Sequence, residues 1–197
     1  MEVGAAVTNR PDCRWSVLSS EILCDSPWLK VEREVVATPT RPGGVEWLTA
    51  WRPLATVVAP RLPDGSYLLI RQERISVRRE MWEFPAGQVD AGHDEAAILA
   101  AAHRELGEEA GVVAPEPLVA LGVLFSSCGF TNECCHLFLA RNVESRAGLI
   151  SHDEKEAIHD VKAYSPGELQ EAIAEGLICD ANTLAIFARL QAKGIFE

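Results

Sequence analysis

Residues 104–112, Arg-Glu-Leu-Gly-Glu-Glu-Ala-Gly-Val, constrain this chain more than any other stretch. On a helix that turns about 100° per residue, Glu105, Glu108 and Glu109 stand at i, i+3 and i+4 and share an arc of roughly 100°. Like charges at that spacing repel. Arg104 is the one cation of the run and cannot neutralise three carboxylates. A divalent cation can. A donor set made of oxygen alone suits magnesium, or manganese in its place, whereas zinc prefers histidine and cysteine. Gly111 follows the last apolar position and serves as a C-cap, so the run predicts a helix over residues 94–110.

The surroundings of that helix read as layered α/β. Residues 28–36 alternate as a strand, and residues 45–51 form its hairpin partner across Pro42-Gly43-Gly44. Pro53 separates this pair from a continuous apolar strand at 55–59. The turn Leu62-Pro63-Asp64-Gly65 leads to a strand at 67–71, and 74–79 is a basic loop in an acidic chain. Pro85-Ala86-Gly87 is a turn ahead of the acidic helix. Strands at 118–125 and 135–140 flank a loop at 126–132. An acidic loop at 152–156 precedes a strand at 158–164. Ser165-Pro166-Gly167-Glu168 is a capping box with proline at the first helical position, and a last helix covers 180–193. Residues 1–20 carry no sustained period and read as a mobile lead-in.

Composition narrows the class. With 197 residues, 48% apolar, the chain can bury roughly 70% of its unfolded surface without disulfides. A net charge of −11 speaks against nucleic acid as a partner, which needs a basic patch. It is compatible with a phosphate-bearing small molecule, because a bound metal reverses the local field. No apolar stretch approaches 18 residues and no export signal opens the chain, so neither membrane nor secretion is expected. The six cysteines include no CxxC pair. They are expected to be reduced, mostly buried thiols of a cytoplasmic protein.

The nine-residue run resembles the second half of the Nudix hydrolase signature, Arg-Glu-Φ-x-Glu-Glu-x-Gly-Φ with Φ a large aliphatic residue, at every specified position. The first half begins at Gly87, within Glu83-Phe84-Pro85-Ala86-Gly87, which resembles the lead-in of the ADP-ribose pyrophosphatase branch. It then departs: Gly87 and Arg104 are 17 positions apart instead of 14, and His93 stands where the motif has glutamate, with Asp94 or Glu95 as its substitute. The proline that marks the branch 16 positions beyond the box is Cys128 here, although Gly129-Phe130-Thr131 and Glu133 keep its surroundings.

The resemblance implies a Nudix α/β/α sandwich with a mixed sheet and an N-terminal β-hairpin extension. It divides the chain into residues 1–52, for dimerisation and base binding, and a hydrolase domain at 53–197. It implies metal ligands at Glu105, Glu108, Glu109 and the Ala86 carbonyl, with Arg104 positioning a glutamate through a salt bridge. A carboxylate from the acidic loop would orient the attacking water, with Glu156 the first choice and Glu154 the second. Trp28 and Trp47 would sandwich the base, from different subunits of a homodimer, and Arg52 and Arg74 would contact the terminal ribose or phosphates. The implied activity is magnesium-dependent hydrolysis of ADP-ribose or a related nucleoside diphosphate sugar. GDP-mannose or an oxidised nucleoside diphosphate are alternative substrates, and a non-catalytic ligand sensor is the alternative class.

Overall fold

Residues 14–27, 29–90, 92–146, 148–150 and 157–196 are described by a computed structural model. They form two compact units, one made of the described residues through Pro53 with Phe125–Glu133, the other of Leu54–Leu124 with the described residues from Cys134 onward.

The first unit is a three-stranded antiparallel sheet of β1 (Ser16–Asp25), β2 (Lys30–Thr38) and β3 (Arg41–Trp51), in that order. The β2–β3 hairpin turns at Pro39-Thr40, earlier than Pro42-Gly43-Gly44. The Thr38 hydroxyl accepts the Arg41 N–H at 3.1 Å, and proline occupies the position of a tight turn that favours its fixed φ. Gly44, at φ 87°, instead sits inside β3. Strand β1 overturns the reading of residues 16–20 as a mobile lead-in. Its pairing shifts register at Val17/Ser19 and again at Ile22/Cys24, and these bulges erase the two-residue alternation that would have marked it as a strand.

The second unit follows from alternation. It contains β4 (Ala55–Pro60), β5 (Tyr67–Arg74), β6 (Arg79–Glu83), β7 (Ala86–Gln88), α1 (Glu95–Ala110), β8 (Val112–Val113), β9 (Val119–Phe125), β10 (Cys134–Ala140), β11 (Glu144–Ser145), β12 (Ile158–Tyr164), α2 (Pro166–Ala174) and α3 (Ala181–Ala192). One sheet is ordered β7-β4-β10-β9, with β4 parallel to β10 and antiparallel to β7, and is therefore mixed. A second is ordered β12-β5-β6, and β8 pairs with β11. Successive strand residues point to opposite faces. Val57, Ala59, Leu69, Leu137 and Leu139 accordingly pack with Leu169 of α2 and Ile186 and Leu190 of α3. Val58, Ile70, Phe138 and Ala140 pack with Ile98, Ala102 and Leu106 of α1. Two cores back to back make an α/β/α sandwich. The fully buried leucines and isoleucines of these layers contribute about 1.5–3 kcal/mol each.

Three local expectations are corrected. The segment 74–79 is not a basic loop throughout, because Arg74 ends β5 and Arg79 begins β6 opposite it. Ala86 and Gly87 are not a turn but belong to β7, with Gly87 paired to Thr56. Of the described cysteines, Cys134 and Cys135 are buried while Cys24, Cys128 and Cys179 are exposed, so the thiols are not mostly buried. Among the described residues no helix is long and apolar enough to cross a membrane.

Candidate active site

Helix α1 is closed at both ends by its own residues. Asp94 caps the N-terminus and accepts the Ala97 N–H at 2.9 Å, while Gly111 at φ 65° sends its N–H to the Gly107 carbonyl. Asp94 is thus engaged as a cap, and Glu95 is exposed in the first turn. The last turn carries no basic residue but holds Glu108 and Glu109. Negative charge there opposes the helix dipole. The sequence accepts that cost, as expected where the carboxylates serve a cation.

Arg104 gathers the available anions. Its Nη2 lies 2.8 Å from Glu105 Oε1 and 3.1 Å from Asp90 Oδ2, its Nη1 lies 2.7 Å from Glu108 Oε2, and Nη2 also donates to the Gln88 carbonyl at 3.0 Å. Partial burial lowers its pKa, but the hydrogen bond to Glu108 and the nearby Glu105 and Asp90 raise it further, so the guanidinium stays firmly charged. Glu105 and Glu109 are buried, at 3% and 1% exposure, while Glu108 is half-buried. Glu109 Oε2 accepts the Ala86 N–H at 2.8 Å, which ties the helix to β7.

Gly87 lies against the Glu105 carboxylate. A Cβ there would stand 1.6 Å from Glu105 Oε1, so only glycine lets that carboxylate lie against the strand. Arg104 thus pairs with Glu105 and Glu108, and Glu109 is tied to Ala86 of β7. Carboxylates are hard oxygen donors, and the space a Cβ on Gly87 would fill is kept for the Glu105 oxygen. This set fits magnesium or manganese.

Arg74 is placed on β5, where its Nε donates to Glu83 Oε1 and Oε2 at 2.9 and 3.0 Å, with Nη2 also on Oε2. Burial pushes the Glu83 carboxyl up and the Arg74 guanidinium pulls it back, with burial the stronger. The same chain segment is anchored by the Phe84 N–H, which donates to the Thr183 hydroxyl of α3 at 3.0 Å.

In the first unit, Trp47 is about half exposed on β3 and donates its indole Nε1–H to the Gly129 carbonyl at 3.0 Å. Arg52 reaches Glu133 Oε1 with Nε at 3.3 Å. Trp28, Glu154 and Glu156 lie outside the described residues. Sequence reasoning missed Asp90, Gln88 and Glu83 as partners of the arginines, and Asn132 and Glu133 as partners of Arg52. Only Glu83 and Glu133 carried a sign, through their places beside recognisable motif residues.

Among the described residues, not the α1 glutamates but Glu73, Glu80 and His159, on β5, β6 and β12, have ligand atoms that all lie within 4.8 Å of one another. All three are exposed, His159 Nε2 is 2.9 Å from Glu73 Oε1, and Arg71 pairs with Glu80. It is an ion-paired surface cluster, of the kind water screens.

A model of the NUDIX domain matches residues 51–183. The chain is 28% identical over 141 residues to the ADP-ribose pyrophosphatase of Bacillus subtilis (strain 168), covering 72% of this chain and 74% of that protein. It is also 28% identical over 173 residues to the ADP-ribose pyrophosphatase of Mycobacterium tuberculosis (strain ATCC 25618 / H37Rv), covering 87% and 80%. A Bacillus methanolicus protein named methanol dehydrogenase activator is 28% identical over 139 residues, covering 71% and 72%. Among solved structures, that of an ADP compounds hydrolase superposes with a TM-score of 0.73 at 19% identity, covering 92% of this chain and 97% of the other, and shares the fold. With its acidic helix and a domain match over two thirds of its length, the chain belongs to the Nudix family.

Proposed function

We propose that this protein hydrolyses the pyrophosphate bond of ADP-ribose or a closely related nucleoside diphosphate sugar, in a magnesium-dependent reaction. The observation that carries the reading is the packing of Glu105 against Gly87 beside Glu109 and Arg104. Glu105 and Glu109 are both buried on one helix face, where like charges repel and a bound cation would offset the repulsion. The names of the similar pyrophosphatases supply the substrate class.

Glu105, Glu108, Glu109 and the Ala86 carbonyl would hold the metal. When bound, it neutralises phosphate charge and acidifies a water molecule. Arg104 orients Glu105 and Glu108, holding each by one arm of its guanidinium. Glu156, or Glu154 in second place, orients the water that attacks phosphorus. The P–O–P bridge breaks, and a nucleoside monophosphate and a sugar phosphate leave. Arg74 commits Nε and Nη2 to Glu83, which leaves Nη1 for a phosphate or ribose oxygen. Arg52 serves the same anionic ligand, and Trp28 and Trp47 stack on the base, since an indole face accepts any flat ring.

Residues 1–52 are assigned to base binding and dimerisation, and residues 53–197 to hydrolysis. Val17, Leu18, Ile22 and Leu23 of β1 and Leu48 of β3 are exposed, the kind of apolar surface that marks an interface. A homodimer in the cytoplasm is the form we assign.

The test is a panel of ADP-ribose, GDP-mannose, other nucleoside diphosphate sugars and oxidised nucleoside diphosphates, with magnesium or manganese, scored by released phosphomonoester. ADP-ribose or another nucleoside diphosphate sugar should lead. A clear preference for an oxidised nucleoside diphosphate would reject the substrate class, and hydrolysis of none would favour a sensor.

A further inference from the structure

From Ala55 to Ala59 strand β4 is apolar except at Thr56. Side chains alternate along a strand. Val57 and Ala59 pack with α2 and α3, and Val58 packs with α1, so Thr56 is turned towards α1 as well. Its neighbours across the sheet are Gly87 of β7 and His136 of β10. His136 stands between Cys135 and Leu137, which belong to the core under α2 and α3, and so it is turned the same way as Thr56. Gly87, Thr56 and His136 therefore make one row across three strands, on the side that meets the acidic helix.

Thr56 is fully buried, and among the described residues its hydroxyl has no hydrogen-bond partner. Valine would fill the same shape without burying a polar atom, and a buried hydroxyl left unpaired costs stability. Such a group in a folded protein is explained by a water, an ion or a role in a site. The Glu105 carboxylate lies next to it in the row, because its Oε1 is 1.6 Å from where a Gly87 Cβ would stand. Directly opposed residues of an antiparallel pair have Cβ positions about 5 Å apart. The carboxylate is thus roughly one water's width from the Thr56 hydroxyl, and the two make no direct hydrogen bond. A buried water takes about two to four polar partners. The row offers it the Thr56 hydroxyl, the Glu105 carboxylate and the His136 imidazole, whose pKa burial lowers so that it is uncharged at neutral pH.

We propose that the Thr56 hydroxyl and the Glu105 carboxylate share a buried water, which makes Thr56 a positioning residue for that carboxylate as a metal ligand. The hydroxyl donates to the water, and the water donates to the carboxylate. Arg104 holds Glu105 Oε1 at 2.8 Å, and the water adds a second restraint from the sheet. The inference rests on the reading of Glu105 as a metal ligand. Partners of this outer kind typically change metal affinity by about 10- to 100-fold when removed.

The test is manganese affinity, measured without substrate from the EPR signal of the free ion, beside Tm of the metal-free protein. Thr56→Val, which keeps the shape and loses the hydroxyl, should weaken manganese binding about 10-fold, and Thr56→Ser should stay within about 2-fold of wild type. Metal-free Tm should not rise in Thr56→Val, because the hydroxyl it removes is satisfied by water. Glu105→Gln should weaken binding further than Thr56→Val does, and adding Thr56→Val to it should change affinity by less than about 2-fold. A higher Tm for Thr56→Val with unchanged manganese affinity would mark an orphan hydroxyl and overturn the proposal. An equal effect of Thr56→Val in the wild-type and Glu105→Gln backgrounds would overturn it too. If Glu105→Gln itself leaves manganese affinity intact, it is the assignment of Glu105 to the metal that fails. Should Thr56→Val not fold, Thr56→Ala against Thr56→Ser carries the same comparison, with the same expected gap of about 10-fold.

Discussion

A methyl group on Gly87 would meet Glu105 Oε1 at 1.6 Å, a separation no packing tolerates, so the carboxylate or the strand must move. Gly87→Ala should therefore lose most activity, about 100-fold or more, since an ångström of displacement at a catalytic ligand costs that much. Steady-state kinetics beside a thermal melt checks this, and near-normal turnover would mean that Glu105 does not need the place it occupies. The acidic loop poses a different question. A loop carboxylate that orients water need not support the fold, so Glu156→Gln should lower kcat by about 10² to 10⁴ with Tm nearly unchanged, and Glu154→Gln should be milder. A reversed order would move the role to Glu154. No effect from either would leave the water to the metal and the helix glutamates.

Helix α1 was legible almost to the residue because its signals are local: Asp94 as cap, an apolar face at Ile98, Ala102 and Leu106, and Gly111 in the left-handed conformation. The helix α2 capping box read equally well, since Ser165 and Glu168 lie three residues apart and bond each other's backbone. Strand β1 did not, because its bulges break the period by which a strand is read. Strand β7 is three residues long, too short for any period, and exists only through β4 beside it. The ion pair of β5 with β6 was hidden for a similar reason, as Arg74 and Glu83 meet across a hairpin. In Arg74→Ala the Glu83 carboxylate, 2% exposed, would be stranded, at a cost of roughly 3 kcal/mol near neutral pH, the low end for a broken buried pair because Arg74 itself is open to water. A carboxyl whose folded pKa lies above its unfolded one costs stability while ionised, and that cost fades as pH falls through the folded value. Burial already raises Glu83, and removing Arg74 takes away the opposing pull. The Tm gap between variant and wild type should accordingly narrow from about pH 8 to about pH 5. A gap that widens towards acid would contradict this account of the pair.

At the scale of the whole molecule, two back-to-back cores hold α1 against one face of the strands and α2 with α3 against the other, so the acidic helix is braced along its apolar side while its carboxylates meet β7. The family motif made this architecture readable in advance, and the same resemblance supplied the assignment of residues 1–52 to dimerisation, which the exposed apolar residues of β1 and β3 support. Gel filtration with light scattering should give twice the chain mass of 21.5 kDa, and Leu18→Asp with Ile22→Asp should shift the protein to monomer. A monomeric wild type with full activity would remove the shared-site assignment of Trp28 and Trp47. The central claim, that this fold exists to hold a catalytic cation on α1, is tested most directly by turnover of ADP-ribose in magnesium for wild type and Glu109→Gln at equal folded fraction. The exchange removes one charge and keeps the shape, so turnover should fall at least ~100-fold, about 2.7 kcal/mol of transition-state stabilisation, with Tm unchanged or slightly higher. Near-normal hydrolysis by Glu109→Gln, or wild-type activity that persists in excess EDTA, would contradict it.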